Sequence, residues 1–422
     1  MGDVLSKDFL WGASTSGHQV EGGNYDQWTV WEKAHAEELA KNAEKRFRKL
    51  PAWQKINNPK EASEPANYVS GKGVDHFHRY KEDFEILKQL NLKAFRFTLE
   101  WSRLEPEEGA WNQTAIDHYH NYLAEMRRQG IEPILNLWHW THPVWLEEKG
   151  GFGKKANIGY FLRFVQKVAD EYGADLKYVI TINEPNVYVS YSELNGGISV
   201  PPEASKVTRL CMFFNLVKAH RMSYLLLKQS NPDLKVGAAV QMANNLKKTD
   251  KWLSTIAVKV ADKFGNYIFY DMSKRRLDFV GFNYYFTNYF DGYSVVAPEE
   301  PHNDLGWYME PAGVGDVATK LWIRYKKPVM ITENGLADEK DEHRQWWLKE
   351  TMISLAKAQK AGAELLGYMH WSLLDNFEWA YGWWPKFGLV AVDRENGMKR
   401  TVRPSAKWWA EQIKALRINQ DQ

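Results

Sequence analysis

Two glutamates in this chain follow apolar runs in the same way. Tyr178-Val179-Ile180 leads into Thr-Ile-Asn-Glu-Pro-Asn at 181–186, and Pro328-Val329-Met330-Ile331 leads into Thr-Glu-Asn-Gly at 332–335. A single carboxylate after a strand can simply satisfy free backbone N–H groups at a cap. Two carboxyls that face each other can do chemistry. One can protonate a leaving oxygen while the other meets an oxocarbenium-like carbon, which is what cleavage of a glycosidic bond requires. Two carboxylates can also hold a metal ion. The aromatic and amide side chains at the other apolar-run ends favour the glycosidic reading.

Facing each other requires a scaffold. Apolar runs recur at 9–14, 94–101, 133–140, 178–185, 236–241, 278–285, 328–335 and 365–374. Between them lie amphipathic segments at 79–90, 116–130, 160–173 and 209–228, with apolar residues such as Tyr80, Phe84 and Leu87 at helical spacing. Strands alternating with helices predict a parallel sheet, and near-continuous apolar character predicts one covered on both faces. The expected fold is α/β, a single (β/α)₈ TIM barrel over residues 1–422. An open doubly wound sheet is disfavoured because no G-x-G-x-x-G turn follows the first strand. In the barrel Glu184 closes strand 4 and Glu333 closes strand 7, so both aim into the cavity from the C-terminal rim.

Residues 34–67 stand out as an insertion after strand 1. Residues 34–50 read as one charged helix with Leu39, Ala43, Phe47 and Leu50 on one face, and 51–67 read as a proline-rich loop. The basic stretch Lys45–Lys49 reads as the solvated side of that helix. The excursion would lie over the barrel's mouth as a rim or lid.

Composition narrows the function classes. The 422 residues are 44% hydrophobic with a net charge of +2, so no global field points to nucleic acid or to an anionic membrane. No apolar run approaches the roughly 18 residues of a membrane span. The only cysteine, Cys211, excludes an intramolecular disulfide; it reads as a small buried hydrophobe on a helix face. A reducing compartment and a start without a signal-peptide pattern point to the cytoplasm. The 20 tryptophans suit a cleft that stacks on sugar rings, or a Trp-rich core. His139 and His142 invite a zinc reading, but strand alternation would put them on opposite faces and no third ligand is near.

Several short motifs, in order along the chain, resemble glycoside hydrolase family 1, the β-glucosidase and β-galactosidase family. They are GHQVEG (17–22), FRFTLEWSR (95–103), HW (139–140), TINEPN (181–186), GFNYY (281–285), ITENG (331–335) and WSLLDNFEW (371–379). The match runs from Phe9 to about Trp408 and is weakest at 34–67 and 242–276. The resemblance implies a retaining exo-β-glycosidase acting on terminal β-glucosyl, β-galactosyl or β-fucosyl units, with Glu184 as acid/base and Glu333 as nucleophile. It implies that Asn183 contacts a sugar 2-hydroxyl, and that Arg96, Asn283 and Tyr285 support Glu333. Gln19, His139, Trp140 and Glu378 would bind the sugar, Trp371 and Trp379 would wall it, and Trp307 would be a platform for the leaving group. No cofactor and no metal are implied, and the partners would be small β-glycosides or oligosaccharides, with neither nucleic acid nor membrane. A transglycosylase, or a binding-only relative lacking one glutamate, are the competing classes.

The chain also departs from the family. HWTHP stands for HWDLP, and Tyr381 occupies a position often acidic, which predicts a narrower or more aromatic pocket side. Phospho-sugar relatives have a small residue where Trp379 stands, and a Lys and Tyr beyond it. Here Lys386-Phe387 follows, which implies an unphosphorylated sugar. The compact 242–276 segment implies altered leaving-group loops.

Overall fold

The computed structural model describes residues 5–50, 54, 56, 59–194, 204–299 and 301–421, and the side chains of these except 191–194 and 418–421. Eight parallel strands close into a barrel: β1 (Leu10–Ser14), β2 (Ala94–Thr98), β3 (Glu132–Asn136), β4 (Tyr178–Asn183), β5 (Lys235–Gln241), β6 (Val280–Tyr284), β7 (Val329–Asn334) and β8 (Leu365–Trp371). Each pairs with its sequence neighbour in this list, and β1 closes the ring on β8 with Ser14 opposite Trp371. All eight apolar runs are therefore barrel strands.

Alternation along the strands separates two apolar layers. In β2, Ala94 belongs to a cluster with Ile134, Tyr178, Ile180, Ala239, Met330 and Met369, which plugs the barrel interior. Phe95 and Phe97 point the other way and pack among the surrounding helices with Phe84 and Tyr122. Arg96 therefore rises inside the barrel above Ala94, fully buried. Burial of this size is affordable for a guanidinium only if it is paired.

The four expected helices are found as His76–Gln89, Gln113–Arg128, Ile158–Tyr172 and Lys206–Ser230. The second ends at Gly130, whose positive φ of 73° reverses the chain into β3.

The rim departs from expectation in several places. The insertion's helix starts earlier, at Gln27, because Asp26 Oδ1 accepts from Thr29 N at 2.8 Å and caps it. It breaks at Asn42 into Gln27–Lys41 and Ala43–Arg48. Leu39, Ala43, Phe47 and Leu50 are all buried, but in two groups. Leu39 packs with Ala36, Ala40 and Tyr68, while Ala43, Phe47 and Leu50 pack with Tyr285, Leu305, Trp371, Tyr381 and Trp384. Of the basic stretch, Lys45, Arg48 and Lys49 are exposed, whereas Arg46 turns inward and donates to the Ala380 carbonyl at 2.8 Å.

Cys211 is exposed, not buried. Its helix carries Val207, Leu210 and Phe214 on the outward side as well, so apolar spacing there does not mark the core. A small sheet of Asn244–Lys247, Thr287–Asp291 and Ser294–Val296, and a hairpin of Val390–Asp393 with Lys399–Val402, add to the frame. Between β5 and β6 the compact stretch folds as Trp252–Ala261, a π-helical turn Asp262–Tyr267 and Ile268–Ser273. No helix among the described residues is long and apolar enough to cross a membrane.

Candidate active site

Both glutamates sit where a strand ladder slips. On β4 the pairing with β5 shifts between Ile180 and Asn183, and on β7 the pairing with β6 shifts between Ile331 and Glu333. An extra residue in one strand re-aims the side chains that follow it. Glu184 is also in the left-handed region, with φ of 44°, and the helix Pro185–Leu194 starts at the next residue. Proline at a first helical position needs no N–H donor, which fits Asn-Glu-Pro to a strand-to-helix elbow. Gly335, two residues after Glu333, packs so close to β8 that a Cβ would lie 1.8 Å from the Trp371 carbonyl oxygen.

The two carboxyls share a buried amide and differ in their other hydrogen-bond partners. Asn283 Nδ2 donates to Glu184 Oε1 at 2.8 Å and to Asn183 Oδ1 at 3.0 Å, while Thr332 Oγ1 donates to Asn283 Oδ1 at 2.6 Å and fixes the amide's orientation. Glu333 takes an ion pair from Arg96 on Oε1 and a 2.7 Å hydrogen bond from the Tyr285 hydroxyl on Oε2. The second Arg96 nitrogen donates to Asn183 Oδ1 at 2.7 Å.

Burial, then repulsion from Glu333, pushes Glu184 well above the ordinary carboxylate range, with Asn283 and Arg96 pulling against it. Burial raises Glu333 as well, but Arg96, Tyr285 and Asn283 all favour its charged form. One proton on Glu184 and one negative charge on Glu333 is the arrangement these contacts stabilise, and the titration belongs to the pair. Tyr285 stays protonated because burial and the adjacent Glu333 raise it well above its usual value.

The glutamates open on a cavity of about 80 Å³. Ten of the expected residues line it: Gln19, His139, Trp140, Glu184, Tyr285, Trp307, Glu333, Trp371, Glu378 and Trp379. Arg96, Asn183 and Asn283 stand behind that wall. Asn183 is wholly buried, with Nδ2 3.2 Å from His139 Nε2. Gln19 Nε2 donates to the Phe377 carbonyl at 2.8 Å and lies 3.4 Å from Glu378 Oε2; Ser16 Oγ holds its Oε1 at 2.6 Å. Burial lifts Glu378 to about 8, against a hydrogen bond from Asn376. Burial and the Arg96 charge keep His139 neutral, well below its usual pKa. Trp371 lies 5.6 Å from His139 with rings 19° apart, and Trp140 lies 5.0 Å from Trp379. Trp140 and Trp379 share the left-handed φ of Glu184, at 76° and 49°. Three such residues around one cavity are backbone strain held in place by the surrounding packing.

His142 is turned away, 2.9 Å from Glu147. The reason is not alternation, since β3 ends at Asn136; the loop beyond it carries the two imidazoles apart. No group of three or more metal-ligating side chains among the described residues is placed to hold a metal ion. Tyr381 does line the cavity, as its bulk implied. Residues that the motifs did not flag join it: Gln54, Val187, Gln241, Phe286 and Phe387. Gln54 comes from the insertion and bridges two rim loops, donating to the Leu305 carbonyl at 3.1 Å and the Tyr381 hydroxyl at 3.2 Å. A lone glutamine in a polar loop gives no sequence signal. Also unflagged is a buried charge cluster behind Trp379, made of His18, Asp26, Glu32 and Glu100.

The chain matches the family model of glycosyl hydrolase family 1 over residues 1–281 and 270–417. It is 29% identical to β-glucosidase A of Thermotoga maritima, covering 96% of this chain and 97% of that one. It is 28% identical to β-glucosidase A of Acetivibrio thermocellus, covering 97% and 98%. The solved structure of the Thermotoga maritima β-glucosidase in complex with glucoimidazole superposes with a TM-score of 0.84 at 27% identity, covering 98% and 99%. A closed barrel carrying two buried carboxyls at its C-terminal rim, with this match along nearly the whole chain, belongs to glycosyl hydrolase family 1 and is a glycoside hydrolase of the β-glucosidase type.

Proposed function

We propose that the protein is a retaining exo-β-glycosidase that removes terminal β-glucosyl units, and β-galactosyl or β-fucosyl units through the same pocket. The observation that carries this reading is the unequal pair at the ends of β4 and β7. Glu333 is ion-paired to Arg96 and hydrogen-bonded by Tyr285, whereas Glu184 is hydrogen-bonded by one neutral amide and feels the repulsion of its partner more than the pull of Arg96. Glu333 attacks the anomeric carbon, and Glu184 protonates the departing oxygen and then deprotonates the incoming water. Retention calls for carboxyls about 5 Å apart. Gln19, Glu378 and His139 form the sugar-binding fork, and Trp371 and Trp379 form its walls. Arg96 and Asn283 position the two carboxyls from behind, and Asn183 bonds the sugar 2-hydroxyl. Trp307, with Gln54 lining the same cavity, receives the leaving group, and the whole chain acts as one domain with 34–67 forming part of the rim.

An unphosphorylated sugar fits because Lys386 Nζ donates to the Trp383 carbonyl at 2.7 Å and lies in an outer groove, outside the cavity. The solved relatives include complexes with glucoimidazole and with deoxynojirimycin, ligands named for that enzyme. With one cysteine the chain suits a reducing compartment, and we place it in the cytoplasm.

The test is release of nitrophenol from a panel of aryl β-D-glycosides, including a 6-phospho-glucoside, by wild type and Glu333→Gly with and without azide. Turnover by wild type, lost in the variant and restored as an α-glycosyl azide, is the expected result. Silence across the panel from a folded wild type refutes hydrolysis. Chain elongation with added sugar acceptors identifies a transglycosylase.

A further inference from the structure

The reaction scheme leaves the buried cluster behind Trp379 without a task. His18 is 1% exposed and does not reach the cavity. Its ring lies parallel to Trp379, with centroids 5.4 Å apart and planes within 4°. Nδ1 is 2.8 Å from Asp26 Oδ2, and Nε2 is 3.4 Å from Glu32 Oε2.

Both carboxylates are themselves anchored. Asp26 Oδ1 caps the helix Gln27–Lys41 through Thr29 N, and Glu32 Oε1 accepts from the backbone N and hydroxyl of Ser70 at 2.9 and 2.6 Å. The oxygen that each leaves over faces an imidazole nitrogen. A carboxylate hydrogen-bonded to Nδ1 and a second within ion-pair reach of Nε2, without a hydrogen bond there, favour the doubly protonated ring, a cation. Burial opposes that charge, but Asp26 and Glu32 outweigh it and hold the pKa at about 10. Nearby Glu100, which accepts from Thr141 Oγ1 at 2.9 Å, is lifted by burial and by Asp26 and Glu21 to about 8, so it is neutral and adds no further negative charge to those of Asp26 and Glu32.

Trp379 needs such a support. It holds a left-handed backbone conformation; Trp28 and Trp140 meet its ring edge-on and tilted, at 85° and 38°, and His139, near-parallel at 18°, lies farther off than His18, at 6.2 Å. A cation against an aromatic face is attracted by the ring's quadrupole, and more strongly where water is excluded.

We propose that His18 is a positioning residue for sugar binding, an imidazolium clamped by Asp26 and Glu32 that fixes the Trp379 wall from behind. The inference rests on the proposed glycosidase reading, with Trp379 as a sugar wall. The cation is felt at the pocket, since its field also helps to keep His139 neutral. The effect falls on binding of the sugar and not on the bond-breaking step, because His18 touches neither carboxyl.

The test uses full-length protein with His18→Phe, which keeps a ring and removes the charge, and Glu32→Gln, which keeps the imidazole and loosens the clamp. Turnover of an aryl β-glucoside by wild type is measured first; its absence defeats the glycosidase reading and is distinguishable from failure here. Expected for His18→Phe is a rise in KM and in the deoxynojirimycin inhibition constant of about 3–30-fold, the range of a desolvated cation–π contact. The turnover number should stay within about threefold, and the near-UV circular dichroism of the tryptophans should change. Glu32→Gln should shift KM in the same direction by less, and it decides the matter if His18→Phe does not fold. Unchanged KM in folded variants overturns the proposal. So does a parallel loss of turnover and stability with KM unmoved, which would make the cluster a fold element only.

Discussion

Replacing Tyr285 by phenylalanine separates the two carboxyls' roles. The substitution removes one hydroxyl and keeps the ring, which packs 5.7 Å from Trp307. What is lost is the 2.7 Å hydrogen bond to Glu333 Oε2, while the Arg96 ion pair on Oε1 remains. A hydrogen bond to a charged group contributes roughly 1.5–3 kcal/mol. One pKa unit corresponds to about 1.4 kcal/mol, so Glu333 should rise by about one to two units. Glu333 must be ionised to attack, so the acid limb of kcat/KM moves to higher pH by that amount. The basic limb, which reports the proton on Glu184, should move much less, and the bell narrows from its acid side. The assay is kcat/KM on an aryl β-glucoside across the pH range in which wild type and variant keep the same circular dichroism. A uniform loss with an unmoved acid limb would refute the reasoning, because the hydroxyl would then act on the substrate and not on Glu333. A limb displaced to lower pH would refute it more directly.

Stability should fall as the solution becomes alkaline. Glu100 and Glu378 are raised to about 8 and His18 to about 10, so each binds its proton more tightly in the folded state. That stabilisation is complete below their unfolded values and is lost as pH rises through the folded ones. The melting temperature is therefore expected to drop between pH 6 and 10, and Glu100→Gln should flatten the part of the slope near pH 8. Gln54→Ala removes the bridge between Leu305 and Tyr381. It should lower kcat/KM for disaccharides by about 5–10-fold, the worth of one net hydrogen bond or slightly more, and leave hydrolysis of the glycosyl-enzyme unaltered. Gly335→Ala places a Cβ 1.8 Å from the Trp371 carbonyl and should destabilise by about 1–3 kcal/mol, read as a lower denaturant midpoint. Cys211 is exposed, so it should react with a thiol reagent in the native state within minutes and without loss of activity.

The barrel was legible because parallel strands buried on both faces must be apolar throughout, and each of the eight runs showed it. The two glutamates were legible because carboxylates terminating such runs have few structural excuses. What escaped notice lies where tertiary contacts override local pattern. Nothing in Gln54 shows that it will reach Leu305 and Tyr381, 251 and 327 residues away along the chain. His18, Asp26 and Glu32 follow no spacing that marks a cluster; the turn after β1 and a helix cap bring them together. Cys211 misled because an outward helix face carries Val207, Leu210 and Phe214. The short sheet at Asn244–Lys247 is too polar and too brief to read as a strand. The placing of Asn183 and Glu184, adjacent yet both serving the site, depends on the ladder slip in β4, which no alternation rule foresees.

The ring closes where β1 meets β8, and the proposed sugar fork straddles that closure. Gln19 follows β1, Glu378 follows β8, and they lie 3.4 Å apart with the Phe377 backbone N–H donating to the Gln19 carbonyl at 3.0 Å. A chain emerging from the ribosome therefore holds Gln19 long before it holds a place for the sugar, because Glu378 appears only after most of the polypeptide has been made. Contacts of such long sequence separation form late. A bound sugar gripping both Gln19 and Glu378 would act as a clasp across the join, so inhibitors of this pocket should slow opening of the barrel at its one point of closure and serve as folding aids for weakened variants.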